Sequence, residues 1–254
     1  MDSWQLRIAV LVSIGRNPVS GAARPNRNDL LALELARKAG GEVTILHAGD
    51  PNKPALADYL AYSAAPLEII PLPGGQDIVP ALAARLQGFH LILTGSRTEG
   101  GEASGMLPYA LAKCLGLPIV AQALDLAVTE GQAEVTQFLP KGQRRRVMVR
   151  LPAIIAVHQM APLAPRYSHL RRVSGQSVTL PAPALTESAS TAWRTEPARK
   201  PVVLKAAEKK SGHARMAAAI TSESKGGTLV TDGTPAEKAQ AILAYLRSHR
   251  LIEF

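Results

Sequence analysis

A chain of 254 residues with 46% hydrophobic and 19% charged residues has enough apolar material for a sizeable core, which excludes an intrinsically disordered protein. Aromatics make up only 4%, so that core must be built from Ala, Leu, Val and Ile. The net charge of +9 fits an anionic surface or an acidic protein partner, but the basic residues are not interleaved with stacking aromatics and match no groove-reading motif, which argues against nucleic acid.

The first 120 residues alternate strand-like and helix-like segments, the pattern that imposes a parallel sheet, because each crossover helix returns the chain to the same end. "LRIAVLV" at 6–12 reads as a strand buried on both faces. "NDLLALELARKAGG" reads as a helix capped by Asn28 or Asp29 and ended by Gly40 and Gly41, and "EVTILHAG" as the second strand. A helix is expected over "ALADYLAYSAA", a strand over "LEIIPL", a helix from Asp77 to Leu86, and a strand over "FHLILTG". The helix in "GMLPYALAKCLGLP" should stop at Gly116, with Pro108 near its start, where a missing N–H costs little.

Beyond Leu117 the β-rich runs "QALDLAVTEGQAEVTQFL" and "RRRVMVRLPAIIAVHQ", with turns at Glu130-Gly131 and Lys141-Gly142, read as an antiparallel meander added to the sheet. Arg144 to Arg146 then fall on an edge strand, where charge discourages aggregation. The chain therefore reads as a 1–180 α/β domain followed by a 181–254 arm, poor in periodicity to about 233 and ending in a helix. Thr234 and Glu237 form a capping box there, Pro235 opens the helix, and Ala239, Ile242, Leu243 and Leu246 make one apolar stripe. No apolar run reaches the ~20 residues of a membrane span, and the early strand leaves no room for a signal peptide, so a cytoplasmic, non-spanning protein is expected.

Chemistry is most legible in "LTGSRTEGGEASGMLP", 93–108, where Gly95, Gly100, Gly101 and Gly105 would let backbone amides approach a phosphate at the helix N-terminus. The spacing is neither G-x-G-x-x-G nor the P-loop, and a flexible turn is an equal reading of the local sequence. Three other turns, "VSIGRNP", "PNRND" and "HAGDP", lie at the same sheet edge if the sheet is parallel, and their convergence favours a nucleotide crevice. For Asn26 and Asp29 taken singly, helix capping is the simpler role, as strand termination is for Gly49. No serine, histidine or cysteine stands in a catalytic context: Cys114, the only cysteine, excludes an internal disulfide, and the six histidines show no metal-ligand spacing.

These turns resemble those of the electron-transfer flavoprotein β-subunit family, over about 6–180 and again over the final helix. Asn26, Asp29 and "ALELA" at 32–36 match the family's Asn-Pro-x-Asp and Ala-Leu-Glu-x-Ala, with Arg27 in place of the proline. "GSRTEGGEASGMLP" aligns without gaps on the family's nucleotide loop, keeping Gly95, Gly101 and Pro108, with Glu102 for Asp. "PRYSHLRRV" at 165–173 is similar to its recognition-loop signature Pro-Arg-Tyr-x-x-Leu. Ser13, Ile14, Pro18, Asn28 and the stretch Ala103-Ser104-Gly105 depart from the usual pattern.

The resemblance implies an adenine nucleotide alpha-hydrolase-like fold: a mainly parallel sheet flanked by helices, an antiparallel β extension, and an arm and terminal helix that dock an α subunit. It implies an electron-carrier subunit rather than an enzyme, in a heterodimer whose FAD is held mainly by the α subunit. Electrons would come from a flavin-dependent dehydrogenase and pass to a quinone oxidoreductase and the respiratory chain. AMP, or a second FAD in a bifurcating form, would occupy this chain at Leu11, Ser13, Asn26, Asp29, Ala48, Gly49, Gly95, Gly101, Glu102, Ala103, Ser104, Gly105 and Met106. A recognition loop near 162–176 would meet the dehydrogenase through Tyr167, His169, Leu170 and Arg171, with Leu170 as the apolar anchor. The competing reading from the same glycine turns is an adenine-nucleotide-binding enzyme or stress-type module of the same α/β class.

Overall fold

The structure is a computed structural model in which residues 5–100, 103–129, 131–183, 212, 216, 229–249, 251 and 252 are described. The opening apolar run becomes β1 (Arg7–Leu11), buried at every position but its first. A hairpin of β2 (Ile14–Arg16) and β3 (Ala23–Pro25) follows, then α1 (Arg27–Ala39), β4 (Glu42–Gly49), a 3-10 helix (Pro54–Ala61), β5 (Leu67–Pro71), α2 (Val79–Arg85), β6 (Leu91–Gly95) and α3 (Leu107–Leu115). The chain continues through β7 (Ile119–Thr129), β8 (Gln132–Phe138), β9 (Arg144–Arg150), β10 (Ala153–Val157), α4 (His169–Ser174) and β11 (Ser177–Thr179).

Nine strands make one sheet in the order β11-β5-β4-β1-β6-β10-β7-β8-β9, while β2 and β3 pair separately. From β11 to β7 the pairings are parallel, and β7, β8 and β9 continue antiparallel, with β9 and its arginines at the edge. The two-residue period of the strands divides the aliphatic residues between two cores. Ile8, Val10, Leu91, Leu93, Ala153 and Ile155 face α1 residues such as Leu31 and Leu35. Ala9, Leu11, Ile92 and Ile154 face Leu82 and Leu86 around α2 and Leu111 of α3. This is the expected α/β fold with its antiparallel extension, and crossover helices cover both faces of the parallel part.

Several local expectations need correcting. "AIIAV" is not part of the meander: β10 lies between β6 and β7, parallel to both, and all five of its residues are buried. A continuous apolar run without alternation belongs to a strand covered on both faces, which the solvated β8 and β9 are not. Asn26, rather than Asn28 or Asp29, caps α1, its side chain accepting the Asn28 N–H, and Asp29 is thereby free to turn into the protein. The helix expected over "ALADYLAYSAA" is instead a 3-10 segment opened by Pro54 and closed before Tyr62. The segment takes up eight of the residues that connect β4 to β5, and 3-10 turns are frequent in such connectors. The β2–β3 hairpin occupies what reads in sequence as plain turns. Gly116 ends α3 in the left-handed conformation, as expected.

Two units divide the chain, Met1–Arg194 and Thr195–Phe254. The expected arm lies mostly outside the described residues. Within the second unit, α5 (Pro235–Ser248) carries the full capping box, with Thr234 Oγ1 accepting from Glu237 N and the Glu237 carboxylate accepting from Thr234 N. None of its residues is buried, and Ile242 of the apolar stripe is 62% exposed. Among the described residues no helix is long and apolar enough to cross a membrane.

Candidate functional site

Past the carboxyl ends of β1, β4 and β6 lies a crevice of about 760 Å³, walled by all of these strand ends, residues 96–98, 100 and 103–105, and the start of α3. Of the residues expected there, Leu11, Ser13, Asp29, Ala48, Gly49, Gly95, Ala103, Ser104 and Gly105 are on its wall. Asn26 is fully buried behind it. Met106, the N-cap of α3, is 60% exposed and is not on the wall. Gly101 and Glu102 lie outside the described residues.

Asn26 and Asp29 join the converging turns. Asp29 Oδ2 accepts from the Ser13 amide and the Ser13 hydroxyl, both at 2.7 Å, and lies 3.2 Å from the Tyr59 hydroxyl. That hydroxyl donates to the Ser13 carbonyl at 2.6 Å and accepts from the Asn26 N–H at 2.8 Å. Asn26 Nδ2 and Asn28 Nδ2 both donate to the Arg97 carbonyl, at 3.2 and 2.9 Å. The loops after β1 and β6 and the 3-10 helix are thus tied to one helix start. Side-chain saturation explains why Asn26 and Asp29 are so deeply buried: each polar atom exchanges water for a partner. Burial pushes the Asp29 carboxyl up to about 7, against the opposing pull of hydrogen bonds from Ser13, Tyr59 and the Gly95 backbone.

Other wall residues escaped the sequence reading. His47 Nδ1 lies 2.9 Å from the Val12 carbonyl, which can only accept, so this nitrogen carries the proton and Nε2 holds the lone pair. Burial lowers the His47 pKa and keeps the ring neutral at pH 7. Lys53 and Arg97 bring cations to the crevice, and Gln76 and Asp77 reach it from the turn before α2. Arg97 was within the glycine-rich loop already singled out and could have been found there; Tyr59 carried no local signal, being one apolar-looking position in a helix-like run. Glu99 accepts from Arg24 Nε and Nη2 at 3.1 and 3.0 Å, pinning the 96–100 turn to β3.

The expected recognition loop is not a loop throughout. Ser168 caps the six-residue α4, accepting from the Arg171 N–H, and no residue of this helix is buried. Leu170 is 76% exposed, Val173 68% and Tyr167 56%. Leu170 and Val173, three residues apart within α4, share one face of it, while Tyr167 precedes the cap. His169 is exposed, and half-buried Arg171 donates from Nη2 to the Arg166 carbonyl at 2.9 Å. Arg172 Nε donates to Asp58 at 2.6 Å.

An open, mainly parallel sheet with a crevice beyond its carboxyl edge is the α/β architecture in which ligands generally sit outside the strand ends. The model of the electron transfer flavoprotein domain family matches residues 19–180. Over 259 aligned residues the chain is 41% identical to the electron transfer flavoprotein subunit beta of Chromohalobacter salexigens, covering 97% of this chain and 96% of that protein. The chain belongs to the electron transfer flavoprotein β-subunit family.

Proposed function

We propose that this chain pairs with an electron transfer flavoprotein α subunit, docks a flavin-dependent dehydrogenase through α4, and serves in passing electrons to a quinone oxidoreductase and the respiratory chain, as a cytoplasmic carrier rather than an enzyme. The observation that carries the reading is Leu170: a large aliphatic side chain 76% in solvent, on a helix with no buried residue, held to the body by its polar and aromatic neighbours. Burying one such side chain in a partner contributes about 1.5–3 kcal/mol, suited to an anchor that must also release. His169, Arg166 and Arg171 around it favour a partner pocket with an acidic rim.

AMP is the ligand proposed for the crevice, and the residues present fit it. The volume of about 760 Å³ lies within the usual range for small-ligand sites. Lys53 and Arg97 can neutralise a phosphate beside the glycine-containing turn, while the Ser13 and Ser104 hydroxyls and the neutral His47 ring offer donors and acceptors to sugar and base. Asp29, saturated by its own neighbours, shapes the wall without offering free valence to the ligand. FAD, held mainly by the α subunit, supplies the redox chemistry of the heterodimer. Native mass spectrometry of the chain co-expressed with an α subunit should give a yellow one-to-one heterodimer carrying FAD and AMP, while the isolated chain is colourless. A stable chain that ignores every α subunit offered would overturn the proposal.

A further inference from the structure

The 3-10 helix Pro54–Ala61 touches both the crevice wall and the docking helix. Towards the crevice, fully buried Tyr59 places its hydroxyl 2.6 Å from the Ser13 carbonyl, 3.2 Å from Asp29 Oδ2 and 2.8 Å from the Asn26 nitrogen. On the other side, Asp58 accepts from Arg172 Nε at 2.6 Å, and the Ala61 carbonyl accepts from the Ser168 N–H at 2.9 Å. Tyr62, which closes the segment, meets Tyr167 edge-on with ring centroids 5.6 Å apart. Leu60 packs so closely under the end of α4 that a β-carbon at Gly175 would stand 2.9 Å from its Cβ.

Six residues cannot sustain an isolated helix in water, so the geometry of α4 is imposed by these ties. A 3-10 segment has poorer hydrogen-bond geometry than an α-helix, so its placement follows its side-chain ties to the body. We infer that this segment is the common mount of the crevice wall and the docking helix, with Tyr59 and Asp58 as positioning residues on its two sides, so that the placement of Leu170 and Val173 depends on how the crevice wall is set. The functional meaning rests on the docking role and the crevice ligand proposed above; the mount itself rests on the contacts. Coupling between two sides of one element is reciprocal, so a perturbation at either must move the other.

Hydrogen exchange of the full-length chain, resolved to single amides, tests this. Tyr59→Phe removes one hydroxyl on the crevice side and should speed exchange at the Ser168 and Arg172 amides about fivefold, the size of one lost hydrogen bond. Asp58→Asn, on the docking side, should speed the Asn26 and Ser13 amides severalfold, and Asp58→Glu should restore them. Variants that speed only the amides on their own side, with Ala9 and Val10 of β1 unchanged, overturn the inference. If Tyr59→Phe speeds Ala9 and Val10 equally, the molecule has opened globally, and the Asp58→Asn and Asp58→Glu pair, which alters one half-exposed ion pair, decides by the same criterion. Adding AMP separates the mount from the ligand reading. Protection at Asn26 without protection at Ser168 contradicts the mount; no protection at Asn26, with the variants still coupled, contradicts AMP as the ligand and supports the mount.

Discussion

Gly95 and Asp29 fit against each other with no room to spare: a β-carbon at Gly95 would stand 2.5 Å from Asp29 Oδ1 and 2.7 Å from Asn28 Cβ. The Gly95 backbone is also one of the groups that bond the Asp29 carboxyl. Gly95→Ala must therefore push the β6 end away from α1. The expected cost is about 2 kcal/mol, as for other overpacked sites, read as a lower urea midpoint with unchanged slope. A wild-type midpoint in this variant would mean that the two elements are not in contact.

Asp29 should also make stability depend on pH. Its carboxyl has the ordinary aspartate pKa of 3.8 in the unfolded chain and is pushed up to about 7 by burial in the folded protein. Between these values the folded state holds a proton that the unfolded state has released. Its contribution to stability is whole below pH 3.8 and is lost as pH rises through about 7, by roughly 4 kcal/mol for a shift of this size. Urea unfolding from pH 4 to 8 should show wild-type stability declining relative to Asp29→Asn, which has no proton to lose. Parallel curves for the two proteins would show that the hydrogen bonds from Ser13 and the Gly95 backbone hold the Asp29 carboxylate ionised.

The Arg24–Glu99 pair ties the 96–100 turn to β3, with side chains 43% and 26% exposed. At that exposure Glu99→Gln should change global stability by less than about 1 kcal/mol. Its effect should instead be local: faster exchange of the amides in the 96–100 turn and weaker binding of the AMP proposed for the crevice, with salt above about 0.5 M reproducing the effect in wild type. Unchanged exchange in that turn would show the pair to be incidental.

The order of strands and helices, the glycine stop at Gly116 and the capping box at Thr234 are set by local chemistry, so they are legible in sequence. The parallel placement of β10 was legible too, in its unbroken run of buried residues, but it was outweighed by its closeness in the chain to the β7–β9 meander. The crevice is partly legible, because strand-to-helix turns of a parallel sheet must converge. What stayed hidden depends on long-range pairing: Tyr59 meets Asn26 and Asp29 across about thirty residues, and His47 meets Val12 only because β1 and β4 are neighbours. The motif residues Asn26 and Asp29 were likewise recognisable as important, but only the fold shows that they weld loops together from behind the wall.

The docking role proposed for Leu170 is tested most directly by Leu170→Ala in the assembled, FAD-loaded heterodimer, measured as the rate at which a substrate-reduced flavin-dependent dehydrogenase reduces it. Removal of a buried anchor should lower the second-order rate constant by tenfold or more, in line with about 1.5–3 kcal/mol for one leucine. Heterodimer assembly and flavin content should stay at wild-type levels, since the Leu170 side chain is exposed in its own chain. An undiminished rate, or loss of assembly in place of loss of rate, would contradict the role of Leu170 as the dehydrogenase anchor.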